Sequence, residues 1–352
     1  MLTTLRLQDF RCYSTLRWDI PAEGAILIGA NAQGKTSLLE ALCFALTLHT
    51  PRAARLDKLV RHGCERFGLS LETEEGTRRL VWQARQKLQM SVNGAERRDY
   101  TDYLADSLPV AWLGNSDREL VNGAAEKRRA FLDFLGAQWH PAYRAALQAY
   151  RKALKSRNAL LRNPRRNRAA LDSYAALLVR HGEVLTALRL QLLELLRPHA
   201  AQHHRAISGG AESPAMQYTP STPLPLAEAL ERSIEADERA GCTTIGPHRD
   251  DFLLTIDGQP AADFASEGQQ RTLAIALLLA QASLLQTETG RAPILLIDDI
   301  FGELDPARRL ALLAALPEES QIFITTTHLS WMQDTPCPLP TLCVENGNII
   351  ES

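Results

Sequence analysis

The six cysteines, Cys12, Cys43, Cys64, Cys242, Cys337 and Cys343, include no C-x-x-C pair. That scatter excludes a zinc knuckle and gives no disulfide framework, so neither a disulfide-stapled domain nor a structural metal site is expected. Long hydrophobic runs are missing too, none reaching the roughly 18 residues of a membrane span. The opening MLTTLRLQDFRCY lacks the apolar region and small-residue cleavage site of a signal peptide. A soluble, cytoplasmic protein with no membrane partner is expected. An excess of one charge sign is also lacking. The formal net charge is −2, so any nucleic-acid surface must be a local patch. Internal repeats are absent. What remains is an ordinary globular composition over 352 residues, 45% hydrophobic and 23% charged, enough for one large domain or two smaller ones. His203 and His204 are adjacent, so on a helix they face different directions, and both read as surface residues.

The first ~110 residues alternate short strands with turns. LTTLRLQDF and GAILIG read as strands, and KTSLLEALCFALTL reads as a helix with Leu38, Leu39, Leu42 and Ala45 or Leu46 on one face. FGLSLET, RRLVWQAR and QMSVNG read as antiparallel strands, with Asn93-Gly94 as a hairpin turn. From about Glu126 the pattern becomes helical. Leu171, Tyr174, Leu178, Leu185, Leu188, Leu192 and Leu195 form one apolar stripe, and Asn163-Pro164 separates two long helices. GGAESPAMQYTPSTPLPL reads as a connection. After Gly241 the alternation returns with DFLLTIDG, a helix after Ser266, APILLIDDIFG, a short helix at 306–315, QIFITTTH and TLCVENGNII. The expected organisation is an α/β unit from 1–112 and 240–352, interrupted by a helical lobe at 113–239.

GANAQGKTS, Gly29–Ser37, matches the phosphate-binding pattern G-x-x-x-x-G-K-[ST] and lies between an apolar strand and a helix. Gly29, Ala30, Asn31, Ala32, Gln33, Gly34 and Ser37 belong to the loop, whose backbone N–H groups surround phosphates. Lys35 is expected to reach the β- and γ-phosphates, and Thr36 to offer its hydroxyl to Mg²⁺. In PILLIDDIFGELD a buried-strand run ends in two acids. Asp298 is placed to hold Mg²⁺ directly or through water, and Asp299 to orient or deprotonate the attacking water. His328 ends the TTTH strand, where it can sense a γ-phosphate or position water. Ser266 and Gln269 fit a capping box, a feature common enough to be no more than a self-capped helix start. Gly268 in its first turn lets something approach bare backbone, and helix N-termini attract anions.

Together, the P-loop, the Asp-Asp strand, the Glu303–Asp305 turn, the strand-end histidine and the Ser-x-Gly-Gln helix start resemble an ABC-type P-loop ATPase head, a mixed sheet with flanking helices. That resemblance implies a Ser266 helix that points at the γ-phosphate held by a second subunit, with two ATPs sandwiched in a dimer. The segment between Thr36 and Ser266 is too long for a transporter ATPase and too short for the coiled coil of an SMC head. LQDFRCY, RRAFLD, YRKALKSRNALLR, GPHRDDF (Gly246–Phe252), SEGQQRTLAIAL and LLIDDIFGELD resemble the RecF family of bacterial recombination mediators over nearly the whole chain. Asn115-Ser116 replaces the family's Pro-Glu or Pro-Asp, Ala125 replaces a proline, and Gly302 stands where Ser or Ala is usual. No Q-loop glutamine is evident near Asn115-Ser116.

Arg151–Arg168 carries eight basic residues and no acid. Lys152, Lys155, Arg162, Arg165 and Arg166 are the candidates for DNA contact. With Tyr150 the sole adjacent aromatic, backbone contact with little sequence reading is expected, on single-stranded or gapped duplex DNA. Arg249 in GPHRDDF reads equally as a structural brace for Asp250 or Asp251 and as a contact to DNA or nucleotide. The resemblance implies recombinational repair and replication-fork maintenance, DNA damage response, weak DNA-stimulated ATPase activity, an ATP-bridged homodimer acting as a DNA clamp, and RecR and RecO as partners. The rivals are a DNA scaffold that binds ATP without significant turnover and a short SMC-like head.

Overall fold

The structure, a computed structural model, describes every residue except 53–54, 115–117, 164–166, 211, 334–336 and 352. The chain forms two compact units, Met1–Asn115 with Leu285–Ser352, and Ser116–Leu284. The first leg carries β1 (Leu2–Phe10), β2 (Tyr13–Asp19), β3 (Gly24–Ile28), α1 (Lys35–Thr47), β4 (Arg66–Thr73), β5 (Gly76–Gln83), β6 (Gln89–Val92), β7 (Ala95–Arg97), α2 (Tyr100–Leu104) and β8 (Val110–Gly114). The second unit carries α3 (Arg118–Asn122), α4 (Ala125–Trp139), α5 (Pro141–Leu161), α6 (Arg168–Ser208) and β9 (Pro214–Thr219). It continues with α7 (Leu226–Arg232), α8 (Ile234–Ala240), β10 (Asp251–Ile256), β11 (Gln259–Pro260), α9 (Ala261–Phe264) and α10 (Glu267–Thr289). The return leg adds β12 (Ile294–Asp298), α11 (Pro306–Ala314), β13 (Ile322–Thr326), β14 (Thr341–Glu345) and β15 (Asn348–Glu351).

Two six-stranded sheets build the first unit. The antiparallel one has the order β2-β1-β4-β5-β6-β7. Asn93 and Gly94 both take positive φ, 53° and 77°, and turn Val92 onto Ala95 as the hairpin reading requires. The other sheet has the order β15-β14-β3-β13-β12-β8, parallel from β14 to β8. In β3 and β12 four successive residues are buried, as expected of strands covered on both faces. The single apolar face expected of α1 is too narrow, because every residue from Leu38 to Leu46 is buried. That run includes Glu40, whose carboxylate accepts from Arg11 Nε at 2.7 Å and from a terminal nitrogen at 2.8 Å. A helix enclosed on all sides can keep an acid only by pairing it.

In the second unit the heptad-spaced Leu171, Leu178, Leu185 and Leu192 are buried, and Tyr174, Leu188 and Leu195 flank them half-buried. α5 ends at Leu161 and α6 begins at Arg168; Pro164 lies outside the described residues. Four readings need correction. The stretch taken for a connection holds β9, which pairs antiparallel with β10; its Pro and Ser content hid the strand. Residues 240–284, expected in the ATPase head, pack within the second unit, because β10 pairs with β9 and β11. His203 and His204 are both buried, because the end of α6 is covered on more than one side; His203 Nε2 lies 2.8 Å from Ser283 Oγ. Arg157, counted in the basic run, is internal and paired with Asp237 at 2.7 Å.

Candidate nucleotide-binding site

The P-loop joins β3 to α1 through a tight turn. Ala32 takes φ 65° and Gly34 φ 112°. A Cβ at Gly34 would lie 2.6 Å from Tyr13 Oη and 2.8 Å from Cys12 Sγ, so only glycine fits there. Tyr13 Oη donates to the Gly34 carbonyl at 3.1 Å, and the Asn346 N–H donates to Gln33 Oε1 at 2.6 Å. The loop is thus held from outside while its inner face stays open.

That face borders a cavity of about 840 Å³. Asn31, Ala32, Gln33, Gly34, Lys35, Thr36, Ser37 and Asp299 all line it. Gly29 and Ala30 are not among the lining residues, but their carbonyls accept from Lys35 Nζ at 2.6 and 2.9 Å. The lysine is buried, which lowers its pKa against the pull of Asp299 and Asp298. Asp298 joins the site through hydroxyls. Its Oδ1 accepts from Thr36 Oγ1 at 2.7 Å and from Thr325 Oγ1 at 2.8 Å. Asp299 takes φ 55° where β12 ends, and its N–H donates to Thr325 Oγ1 at 3.0 Å. The left-handed turn brings this second acid to the cavity wall. His328 is not among the lining residues. Its Nδ1 lies 2.8 Å from Ser330 Oγ, and its ring lies beside Gly302.

Sequence reasoning missed Arg11, Arg52, Lys58 and His62, which form a basic wall of the cavity. The Arg11 N–H donates to the Leu59 carbonyl at 2.7 Å, bringing the β1–β2 turn and segment 58–62 together. For Arg52, Lys58 and His62 the signal was a stretch from 52 to 62 in which Asp57 is the one acid among five basic residues, with nothing to say that it folds toward the P-loop.

This chemistry fits a magnesium triphosphate. A carboxylate hydrogen-bonded to the P-loop threonine can hold Mg²⁺, which takes few protein ligands beside phosphate and water. Among the described residues no group of three or more His, Cys, Asp or Glu could form an all-protein metal site.

In the second unit, Ser266 caps α10 reciprocally. Its N–H donates to Gln269 Oε1 at 2.8 Å, and its Oγ accepts from the Gln269 N–H at 3.3 Å. Ser266 is exposed and Gly268 half-buried. The GPHRDDF motif is braced by RRAFLD. Arg128 grips the Asp251 carboxylate at 2.7 and 2.8 Å, and Arg129 donates to the Asp250 carbonyl at 2.7 Å. Arg249, expected as a possible brace, is exposed instead. Burial lowers the pKa of His248; its Nε2–H donates to the Thr243 carbonyl at 3.0 Å, and in that tautomer its Nδ1 accepts from Tyr150 at 2.7 Å. Lys152 and Lys155 are exposed on α5, as is Arg162 just past its end; Arg165 and Arg166 lie outside the described residues, as does Asn115-Ser116.

A parallel sheet with a P-loop corner and an acid pair ending a nearby strand defines a P-loop ATPase of the SMC-head class. The family model described as RecF/RecN/SMC N terminal domain matches residues 1–347, and the chain belongs to the RecF family. It is 38% identical to the DNA replication and repair protein RecF of Synechococcus sp. (strain JA-3-3Ab), covering 94% of each chain. It is 36% identical to that of Gloeobacter violaceus (strain ATCC 29082 / PCC 7421), covering 99% of this chain and 98% of that one. A solved recombination mediator protein RecF with ATPrS, from the RecFOR pathway, superposes with a TM-score of 0.88 at 25% identity. That match covers 100% of this chain and 98% of that one. An Smc head bound to a domain of ScpA matches in fold, with a TM-score of 0.56 at 13% identity over 100% of this chain and 97% of that one.

Proposed function

We propose that the chain is an ATP-dependent DNA-binding protein of recombinational repair and replication-fork maintenance, in which an ATP-bridged homodimer clamps DNA and slow, DNA-stimulated hydrolysis resets it. The observation that carries this reading is the Thr36–Asp298 hydrogen bond, which joins the P-loop helix to the acidic strand. Lys35 leaves the loop carbonyls for the β- and γ-phosphates. Thr36 and Asp298 hold Mg²⁺, which when bound neutralises charge developing on the transferring phosphoryl group. Asp299 orients or deprotonates the attacking water. His328 senses the γ-phosphate or positions water. The Ser266 helix start, cleared by Gly268 and squared by Gln269, supplies the missing wall to the nucleotide of a second copy, where preorganised N–H groups stabilise charge.

Lys152 and Lys155 on α5, with Arg162 just past its end, make salt-dependent contacts to DNA phosphates. Family membership supports RecR and RecO as partners. Sedimentation of wild type and Ser266→Arg, with and without ATP and DNA, tests the dimer. An ATP-dependent dimer that the substitution leaves intact overturns the trans role. Asp299→Asn tests the cycle, with turnover lost and dimerisation kept. A wild type without turnover in the presence of DNA leaves a scaffold in its place.

A further inference from the structure

The first turn of α10 carries an acid beside the capping serine. The Glu267 side chain is 82% exposed, and its Oε1 accepts from an Arg118 terminal nitrogen at 3.2 Å. Arg118 opens α3. Asn122, at the other end of α3, donates from Nδ2 to Gln270 Oε1 at 3.0 Å. Gln270 is buried and donates in turn to the carbonyls of Ala261, Ala262 and Ala265. α3 is therefore pinned along α10 at two points, one buried and neutral, the other exposed and charged. The nearby acid Glu212 is engaged by Gln269 Nε2 at 3.0 Å.

These two pins differ in how easily they open. An ion pair this exposed is nearly balanced by solvation and side-chain entropy. Asn122 keeps α3 in place when Arg118 lets go. A γ-phosphate carries more charge than a carboxylate, and its geometry suits the guanidinium fork. A bare Glu267, by contrast, repels a triphosphate brought to Ser266.

We propose that Arg118 is a reserve cation for the partner's nucleotide: Glu267 holds it in the isolated copy, and it transfers to the γ-phosphate presented by a second copy when the dimer closes. This rests on the reading that Ser266 serves the nucleotide of a second copy. Glu267 is the internal competitor, and its carboxylate sets how much ATP-driven attraction closure requires.

The two substitutions act in opposite directions, and that separates this role from a structural one. The test is the self-association constant of the full chain by sedimentation in saturating ATPγS and Mg²⁺. Arg118→Ala is expected to weaken the dimer about tenfold, the scale of one charge-assisted contact, and Glu267→Gln to strengthen it severalfold. Arg118→Lys restores part of the loss, keeping the charge without the fork. Binding of a fluorescent ATP analogue to monomer at low protein concentration stays unchanged in both. If both substitutions weaken the dimer alike, the pair is structural and the proposal falls; it falls equally if neither changes the constant. Ser266→Arg in the same assay separates the two levels. A dimer that survives it removes the trans reading itself. A dimer that it abolishes, while Arg118→Ala and Glu267→Gln act alike, removes only the role of Arg118.

Discussion

Lys35 and Arg157 are both buried cations, one in each unit, and their partners differ. Lys35 is 7% exposed, and its amine rests on two main-chain carbonyls; among the described residues no carboxylate hydrogen-bonds it. Arg157 is 1% exposed, and it donates to Asp237 at 2.7 Å and to Thr243 Oγ1 at 2.8 Å. Asp237 also accepts from the N–H and hydroxyl of Thr244 at 2.8 and 2.6 Å. Arg189 repeats the pattern with Asp133 at 2.8 Å, Tyr143 and the Pro247 carbonyl. One unit thus holds a desolvated charge beside an open cavity, resting on carbonyls and not on a carboxylate hydrogen bond. The other sets buried arginines against buried carboxylates to fix helices against the GPHRDDF loop, although Arg157 Nε finds no hydrogen-bond partner among the described residues. A buried cation beside a cavity that no carboxylate hydrogen-bonds is a receptor for an anion, whereas one hydrogen-bonded to a buried carboxylate is a structural joint.

Breaking the joint should give the largest effect. Arg157→Met leaves Asp237 buried and unpaired, and is expected to cost about 3–5 kcal/mol. Urea unfolding gives the magnitude, and hydrogen exchange over α5 locates it in the second unit. Replacing both partners, Arg157→Met with Asp237→Leu, should recover most of the loss. A loss under 1 kcal/mol in the single variant would make the pair incidental.

The receptor should respond the other way. Lys35→Ala removes a desolvated charge that carbonyls hold and no carboxylate hydrogen-bonds among the described residues, so the midpoint of unfolding should hold or rise slightly. ATP affinity should fall by about two orders of magnitude, the scale of losing charge-assisted contacts to phosphate. Equilibrium binding and urea unfolding on one preparation measure both. A variant that loses stability along with binding would place Lys35 among the joints.

This difference in charge use marks where the sequence was legible. In the first unit, a motif of fixed spacing singled out Lys35 and Thr36, and an apolar run ending in two acids singled out Asp298 and Asp299, because phosphate chemistry demands those types at the carboxyl ends of apolar strands. The basic wall of Arg11, Arg52, Lys58 and His62 stayed hidden, because its residues come together through a β1–β2 turn and a loop bridge that no local pattern announces. In the second unit, heptad spacing revealed α6. The same reasoning assigned His203, His204 and Arg157 to the surface, because single-residue hydropathy cannot see a partner 80 residues away, as Ser283 is from His203 and Asp237 from Arg157. Composition likewise hid β9, whose partner strand β10 lies beyond two helices.

Titration should resolve the units more gently. Burial lowers the pKa of His203, His204 and His248, all in the second unit, below the ordinary value of 6.5. Between the lowered folded values and 6.5, the unfolded chain binds more protons than the folded one, so stability falls as pH drops through that window. The fully buried His204 contributes at most about 1.4 kcal/mol per pH unit there. In the first unit the shifted carboxylates lie low instead. The Arg308 N–H holds Asp305 down, and Arg291 holds Glu75 down; both effects persist above about pH 4 and vanish in stronger acid. Hydrogen exchange from pH 7 to 5, corrected for its intrinsic rate, should loosen the second unit first. His204→Gln should flatten its slope, and equal loosening of both units would remove the contrast.

The smallest effect is expected at Gly302, where the family usually has Ser or Ala. Unlike Gly34, Gly302 does not have the positive φ that makes a side chain costly. A Cβ added there would meet His328 Nε2 at 3.7 Å and Cε1 at 3.8 Å, an ordinary van der Waals contact. Gly302→Ala should therefore stay within about 0.5 kcal/mol of wild type in urea unfolding, since lost chain entropy in the unfolded state offsets a slight crowding. The methyl would also restrict the His328 ring to one side of the turn. If His328 must swing toward a γ-phosphate, turnover should fall while stability and ATP affinity hold. Unchanged turnover would mean that the imidazole acts from the position it already occupies, hydrogen-bonded to Ser330, or not at all.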